Sequence, residues 1–243
     1  MPLKSDSLRS AWYAGATVSL GGANEEHDGL YAFNASLYRT NSFGSFEAYY
    51  GTGFTAGDYD ISAPFEFFTN SLDTTYFALL SKQAGEKFYG GLGLYGGISF
   101  VKPMDDYGSE WRMIGLESSV QHEFGGYRNF RKNLPDSIAS SLMRSAFYSS
   151  VGVSTEFIFK KRKDGTPSGF KIGYGVSLQP TRNFVYDGNS HYVYRSVYPF
   201  YFSAAFHFTK KHWTFFWQFN SGYKAINIQM GTTYRITQKR HAG

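Results

Sequence analysis

Side chains along this chain change character every second residue, in one stretch after another. A strand sends successive side chains to opposite faces, so such a pattern makes a ribbon with one apolar and one polar face. In residues 88–101 one parity reads Phe88, Gly90, Leu92, Leu94, Gly96, Ile98, Phe100, and the other Tyr89, Gly91, Gly93, Tyr95, Gly97, Ser99. In residues 168–180, Phe170, Ile172, Tyr174, Val176 and Leu178 oppose Lys171, Gly173, Gly175, Ser177 and Gln179. Residues 146–159, 192–208 and 224–236 repeat the scheme, and helical periodicity is nearly absent.

Composition decides where the apolar face points. Of 243 residues 20% are aromatic and only 18% charged, against about 25% charged in soluble domains. The mean hydropathy is nevertheless −0.36. A soluble sandwich or lipocalin-like barrel would need one very large aromatic core. It would also turn a Gly- and Ser-rich face to water without the charge that soluble surfaces carry. Apolar parities facing lipid remove the conflict. They run for about 9–13 residues, close to the ~9–11 that a tilted strand needs to cross a bilayer. Disorder is excluded by the aromatic content, a disulfide framework by the absence of Cys. Membrane-spanning helices are excluded because no apolar run reaches the length of about 18 or more that one requires.

The alternating segments are 11–20, 29–39, 44–54, 60–68, 73–81, 87–101, 110–125, 144–161, 168–180, 191–208, 212–219 and 224–236. The expected fold is therefore all-β, an up-and-down antiparallel transmembrane β-barrel of twelve strands, with ten as the fallback. The weak segments are 60–68, which contains Pro64, and 73–81, whose faces are nearly equal. Connections after even strands are mostly short; after odd strands several are longer, at 21–29, 126–143 and 181–190. With an even count both termini lie on the short-turn side. Residues 1–10 read as an N-terminal extension, 11–236 as the barrel and 237–243 as a polar tail. The opening residues carry no apolar stretch or cleavage site, so the chain reads as a mature form without its signal peptide. Pro135-Asp136-Ser137 followed by Ile138, Leu142 and Met143 marks a short helix.

Across residues 11–236 this pattern resembles the bacterial outer-membrane β-barrel class. The likeness rests on repetition and on aromatics at strand ends, such as Phe88 and Phe100 around Leu92 and Leu94, and no specific family is identified from it. Many members end on an aromatic residue; here Tyr223, Tyr234 and Ile236 lie in the last alternating segment, and Gly243 is last. The resemblance implies location in the bacterial outer membrane and contact with its lipids and lipopolysaccharide. It also implies insertion by the outer-membrane assembly machinery and an opening to other envelope proteins. It implies no single activity.

The inward parity carries charge: Glu47, Glu66, Glu117, Glu123, Glu156, Lys171, Arg195 and Arg235, with Arg112 close to a strand start. These fit either a pore tuned by charge or an interior ion-pair plug, since buried charges must be paired. The expected function is a narrow porin-like channel for small polar or ionic solutes. The alternatives are a plugged structural or accessory barrel and a lipid hydrolase. The last would use Ser203 with His207, or His122 with Ser118, Ser119 and Glu123, but no lipase signature such as GxSxG is present, and no catalytic residue is assigned. No metal or cofactor site is expected: the six His are dispersed, and the acidic stretches Glu25–Asp28 and Asp58–Asp60 lack a calcium-loop order. Arg128, Arg131 and Lys132 form a basic group in a long connection, suited to lipopolysaccharide phosphates. Lys160, Lys161, Arg162 and Lys163 cluster at a turn. Nucleic acid is not an expected partner, because basic and aromatic residues do not share a face.

Overall fold

The computed structural model describes residues 10–23, 29–61, 84–133, 145–160, 166–186, 192–222 and 225–236. Among them ten strands close a barrel: β1 Ala11–Ala23, β2 Gly29–Phe43, β3 Phe46–Ile61, β4 Gly85–Pro103, β5 Glu110–Phe124, β6 Phe147–Lys160, β7 Pro167–Ser177, β10 Phe200–Lys210, β11 Trp213–Gly222 and β12 Ala225–Ile236. Between β7 and β10 the chain forms a separate two-stranded ribbon, β8 Thr181–Tyr186 with β9 Tyr192–Val197. One helix, α1 Gly126–Asn133, follows β5. All barrel pairings are antiparallel, and β1 closes the ring against β12, from Trp12 opposite Ile236 to Ala23 opposite Ala225.

The fallback of ten strands is the observed count, not the preferred twelve. The difference lies in the segments expected at 60–68 and 73–81. Alternation that seemed to start a new strand at residue 60 belongs to the end of β3, which runs to Ile61; the rest of the 60–68 segment and all of 73–81 lie outside the described residues. The 191–208 segment is broken by Pro199, so β9 pairs with β8 and only β10 joins the wall. Proline cannot donate to a ladder. The expected helix over 135–143, Glu66, residues 1–9 and 237–243, Glu25–Asp28 and residues 161–163 also lie outside the described residues.

Connections on one end of the barrel are short, as the sequence rhythm predicts. Gly44-Ser45 joins β2 to β3, residues 104–109 join β4 to β5, and Lys211-His212 joins β10 to β11. Gly44 takes φ of 59° in the first of these turns, a left-handed geometry that favours glycine, while Lys211 adopts the same φ at a non-glycine position. This is the turn end; the opposite, loop end carries α1 and the β8–β9 ribbon.

The wall is apolar outside and polar inside. Leu94 is 67% exposed, with Leu92, Leu116, Val120, Val151, Val153 and Ile228 also facing outward between the ends. Aromatic rings crowd the outer rims. At the turn end Trp111 stacks on Phe157 at 5.3 Å, Phe208 on Phe215 at 5.3 Å, and Trp213 meets Tyr234 at 4.8 Å. At the loop end Phe88 meets Phe124 at 6.3 Å and Tyr174 meets Phe200 at 6.2 Å. An aliphatic band between two aromatic girdles is the outer surface of a transmembrane barrel. Inside, among the described residues, Ala205 and Phe216 form a small buried apolar cluster, and buried polar and charged side chains outnumber the buried apolar ones. Closure removes every sheet edge within the barrel, as hydrocarbon demands.

Candidate functional site

Near the turn end every barrel strand contributes an inward side chain that is no more than 5% exposed. Around the ring these are Tyr13, Tyr38, Glu47, Val101, Arg112, Glu156, Lys171, His207, Thr214 and Thr233. Their chemistry explains the packing. Arg112 on β5 donates to Glu156 on β6 at 2.7 Å and lies 3.6 Å from Glu47 on β3, across β4. The far oxygen of Glu156 lies 2.8 Å from His207 Nε2 on β10. Lys171 Nζ reaches across β6 to Glu117 at 2.6 Å, and Ser154 donates to the same oxygen at 2.8 Å. Each charge is thus taken from water but given a counter-charge, the condition under which buried ions are tolerated. Thr209 and Thr214 close a hydroxyl pair at 2.6 Å.

Glycines make room for the larger rings. A Cβ at Gly175 would overlap the Tyr201 ring, and one at Gly169 would overlap the His207 imidazole. Both rings therefore lie flat on the wall of β7, which bears these glycines. On the β1–β2 side Tyr13 stacks on Tyr38 with centroids 5.0 Å apart, and Tyr38 approaches Tyr95 at 6.5 Å.

Towards the loop end the filling gives way to a cavity of about 250 Å³. Asn34, Ser36, Thr55, Ser119, Gln121, Gln218 and Gln229 line it, and the rings of Tyr38, Tyr95 and Phe216 face it. Among the described residues lining it, none is an acid, lysine, arginine or histidine. At the loop end itself a second ionic contact fixes α1: Arg131 and Tyr148 both donate to Glu123, a residue with no exposed surface. Tyr127 of α1 stacks on Tyr59 at 4.0 Å, and Phe130 is buried.

The charges anticipated from parity are distributed as follows. Glu47, Glu117, Glu156 and Lys171 meet in the packed tier and Glu123 at the loop end. Arg235, half-buried, lies 3.1 Å from His212 Nδ1 at the turn end. Arg195 does not stand on the barrel wall: it sits on β9 opposite Asn183. Arg131 is not available to lipopolysaccharide, because its guanidinium is buried against Glu123; its neighbours Arg128 and Lys132 remain partly or fully exposed. Parity does not reveal the weight of two members: Arg112 is the centre of the ion pairs with Glu156 and Glu47, and the His207 ring engages Glu156. His122 faces outward against Phe147, with ring centroids 4.7 Å apart, and so stands on the opposite face from Glu123. Among the described residues no group of acids and histidines is arranged to hold a metal.

Solved structures similar to this chain are outer-membrane β-barrels. The beta domain of the Bordetella autotransporter BrkA shares 9% identity over 95% of this chain and 100% of its own, with a TM-score of 0.45. An outer membrane channel from Pseudomonas putida F1 shares 9% over 97% of this chain and 99% of its own, with a TM-score of 0.41. The translocator domain of the autotransporter NalP from Neisseria meningitidis shares 8% over 93% and 88%, with a TM-score of 0.40. No family model matches the chain. No curated protein matches it.

Proposed function

We propose that this chain is an integral bacterial outer-membrane barrel that is closed to ion flow, a plugged structural or accessory barrel of the envelope. One observation carries the reading: ten strands each place a side chain no more than 5% exposed into the same tier. A water-filled channel would leave such side chains wet. Eight-stranded barrels are just filled by their own side chains, and much larger barrels hold channels; ten strands with tyrosines and paired long charges fall on the filled side. Both signs of charge are present and mutually paired, so little net field remains to select an ion. The outer surface is fitted to lipid, and Arg128 and Lys132 remain placed to meet lipopolysaccharide phosphates. Insertion falls to the outer-membrane assembly machinery.

A narrow channel for small polar or ionic solutes is the second reading, favoured by the polar cavity above the tier. Planar-bilayer recording separates the two. The folded wild-type barrel is expected to give no stable current steps, and the Arg112→Ala/Lys171→Ala double variant to give them. Stable open steps from the wild type would reject the closed reading in favour of the channel. A hydrolase reading finds no support in the geometry, because Ser203 and His207 share a strand face while His207 is occupied by Glu156.

A further inference from the structure

The cavity of about 250 Å³ has room for roughly eight waters at their liquid volume of about 30 Å³ each. Its lining is unusual for a mere packing defect. Empty cavities in proteins are apolar, whereas this one is ringed by amides and hydroxyls.

The hydrogen-bonding state of the amides shows what they offer. Asn34 is fully engaged, donating to Ser19 at 2.9 Å and accepting from Thr55 at 2.7 Å. Gln121 donates to the Tyr89 hydroxyl at 3.0 Å and Gln218 to Asn220 at 2.6 Å, which leaves both glutamine carbonyl oxygens uncommitted. Gln229, opposite Gln218 in the β11–β12 ladder, engages neither end of its amide among the described residues. Gln121 and Gln218 each keep one amide N–H besides the carbonyl oxygen, so the cavity wall offers both acceptors and donors.

Two aromatic rings complete the arrangement. Phe216 lies over Gly231, where a Cβ would come within 2.7 Å of its ring, and Tyr95 lies over Gly53, where a Cβ would come within 3.6 Å. Phe216 is on β11 and Tyr95 on β4, and these strands stand five places apart in a ring of ten, on opposite sides of the barrel. Two flat apolar faces thus border one space from opposite walls, with amides and hydroxyls between them.

Each alternative ligand chemistry fails on this lining. A charged solute would be desolvated without a counter-charge, since the nearby lysine and arginines are already paired. An apolar solute would strand the glutamine amides. A molecule that both donates and accepts hydrogen bonds around its perimeter, carries no charge and has apolar faces matches on every side. We propose that the cavity is a binding site for one neutral polyhydroxylated ring, a single sugar of hexose size. This goes beyond the closed-barrel reading and does not depend on it.

The test uses the full chain, folded in a zwitterionic detergent without sugar headgroups, and D-glucose as the probe, read by saturation-transfer NMR and equilibrium dialysis. One saturable site is expected. Glucuronate, the same ring bearing a carboxylate, should bind at least tenfold more weakly. Gln229→Leu, which keeps the volume and removes the amide, should weaken glucose at least tenfold, and Ser119→Trp, which fills the space, should abolish binding while the barrel keeps its folded migration on unheated gels. Absence of saturable glucose binding, or equal binding of glucuronate, would overturn the proposal and assign the cavity to water alone. So would undiminished binding by folded Ser119→Trp. The wild-type comparison of the two sugars needs no variant to fold, and the bilayer recording stands apart from it.

Discussion

Replacing Arg112 by Ala removes the hub of the packed tier. The guanidinium is 4% exposed, 2.7 Å from Glu156 and 3.6 Å from Glu47. Both carboxylates are themselves about 5% exposed, so neither can recover its solvation by turning to water. Removing one partner of a buried pair typically costs about 3–5 kcal/mol. Glu156 keeps His207 at 2.8 Å, which places the expected loss near the lower end of that range. The assay is urea unfolding and refolding in lipid vesicles, followed by gel migration and tryptophan emission. Glu156→Gln completes a double-mutant cycle, and the double variant should lose less than the sum of the singles, with a coupling of about 1–3 kcal/mol. A loss below about 1 kcal/mol for Arg112→Ala, or strict additivity, would mean that the tier is wet and the charges solvated, contrary to their burial in the structure.

Three further outcomes follow from other parts of the wall. Leu94→Arg, on the lipid-facing side in the middle of β4, should destabilise the inserted barrel by about 2–4 kcal/mol in the same unfolding assay, whereas Gln121→Leu inside should not perturb insertion. Gly175→Ala should cost about 1–3 kcal/mol by forcing the Tyr201 ring off the wall; Tyr201→Ala in the same chain should restore most of the loss and Tyr201→Phe should not, read from unfolding midpoints. Arg131→Ala should cost about 1.5–3 kcal/mol at the loop end, the usual worth of a hydrogen bond to a charged group. Amide exchange would then speed up within residues 126–133 and stay unchanged in β10 and β11, and uniform protection would contradict the anchoring role.

Alternation made the wall legible before any coordinates. Leu94, Val153 and Ile172 point outward and Glu47, Glu117, Glu123, Glu156 and Lys171 inward, as parity alone requires. What parity cannot supply is partnership. Arg112 and Glu156 are 44 residues apart and Lys171 and Glu117 are 54 apart, and their meeting is set by barrel register, which no local pattern encodes. Parity also misleads where the chain leaves the sheet without breaking rhythm. Residues 192–197 keep alternating in β9, yet Pro199 separates them from the wall, and Arg195 was assigned inward on that false continuity. Arg131 looks like a loop cation in the sequence because the stronger helix signal lies after Pro135, whereas the helix itself is Gly126–Asn133. Tyr127, Phe130 and Arg131, at helical spacing on one face, were the available signal.

The ring is sealed by its first and last strands, joined over a dozen residue pairs from Trp12–Ile236 to Ala23–Ala225. More than two hundred residues separate the partners at that seam, so closing the ring carries the loop-closure entropy of nearly the whole chain. Until the ring closes, β1 and β12 are raw margins that would template a neighbouring chain. In hydrocarbon those margins would leave their backbone N–H and C=O groups unpaired, which makes a half-closed sheet costly there and the β1–β12 pairing a condition of residence in the bilayer.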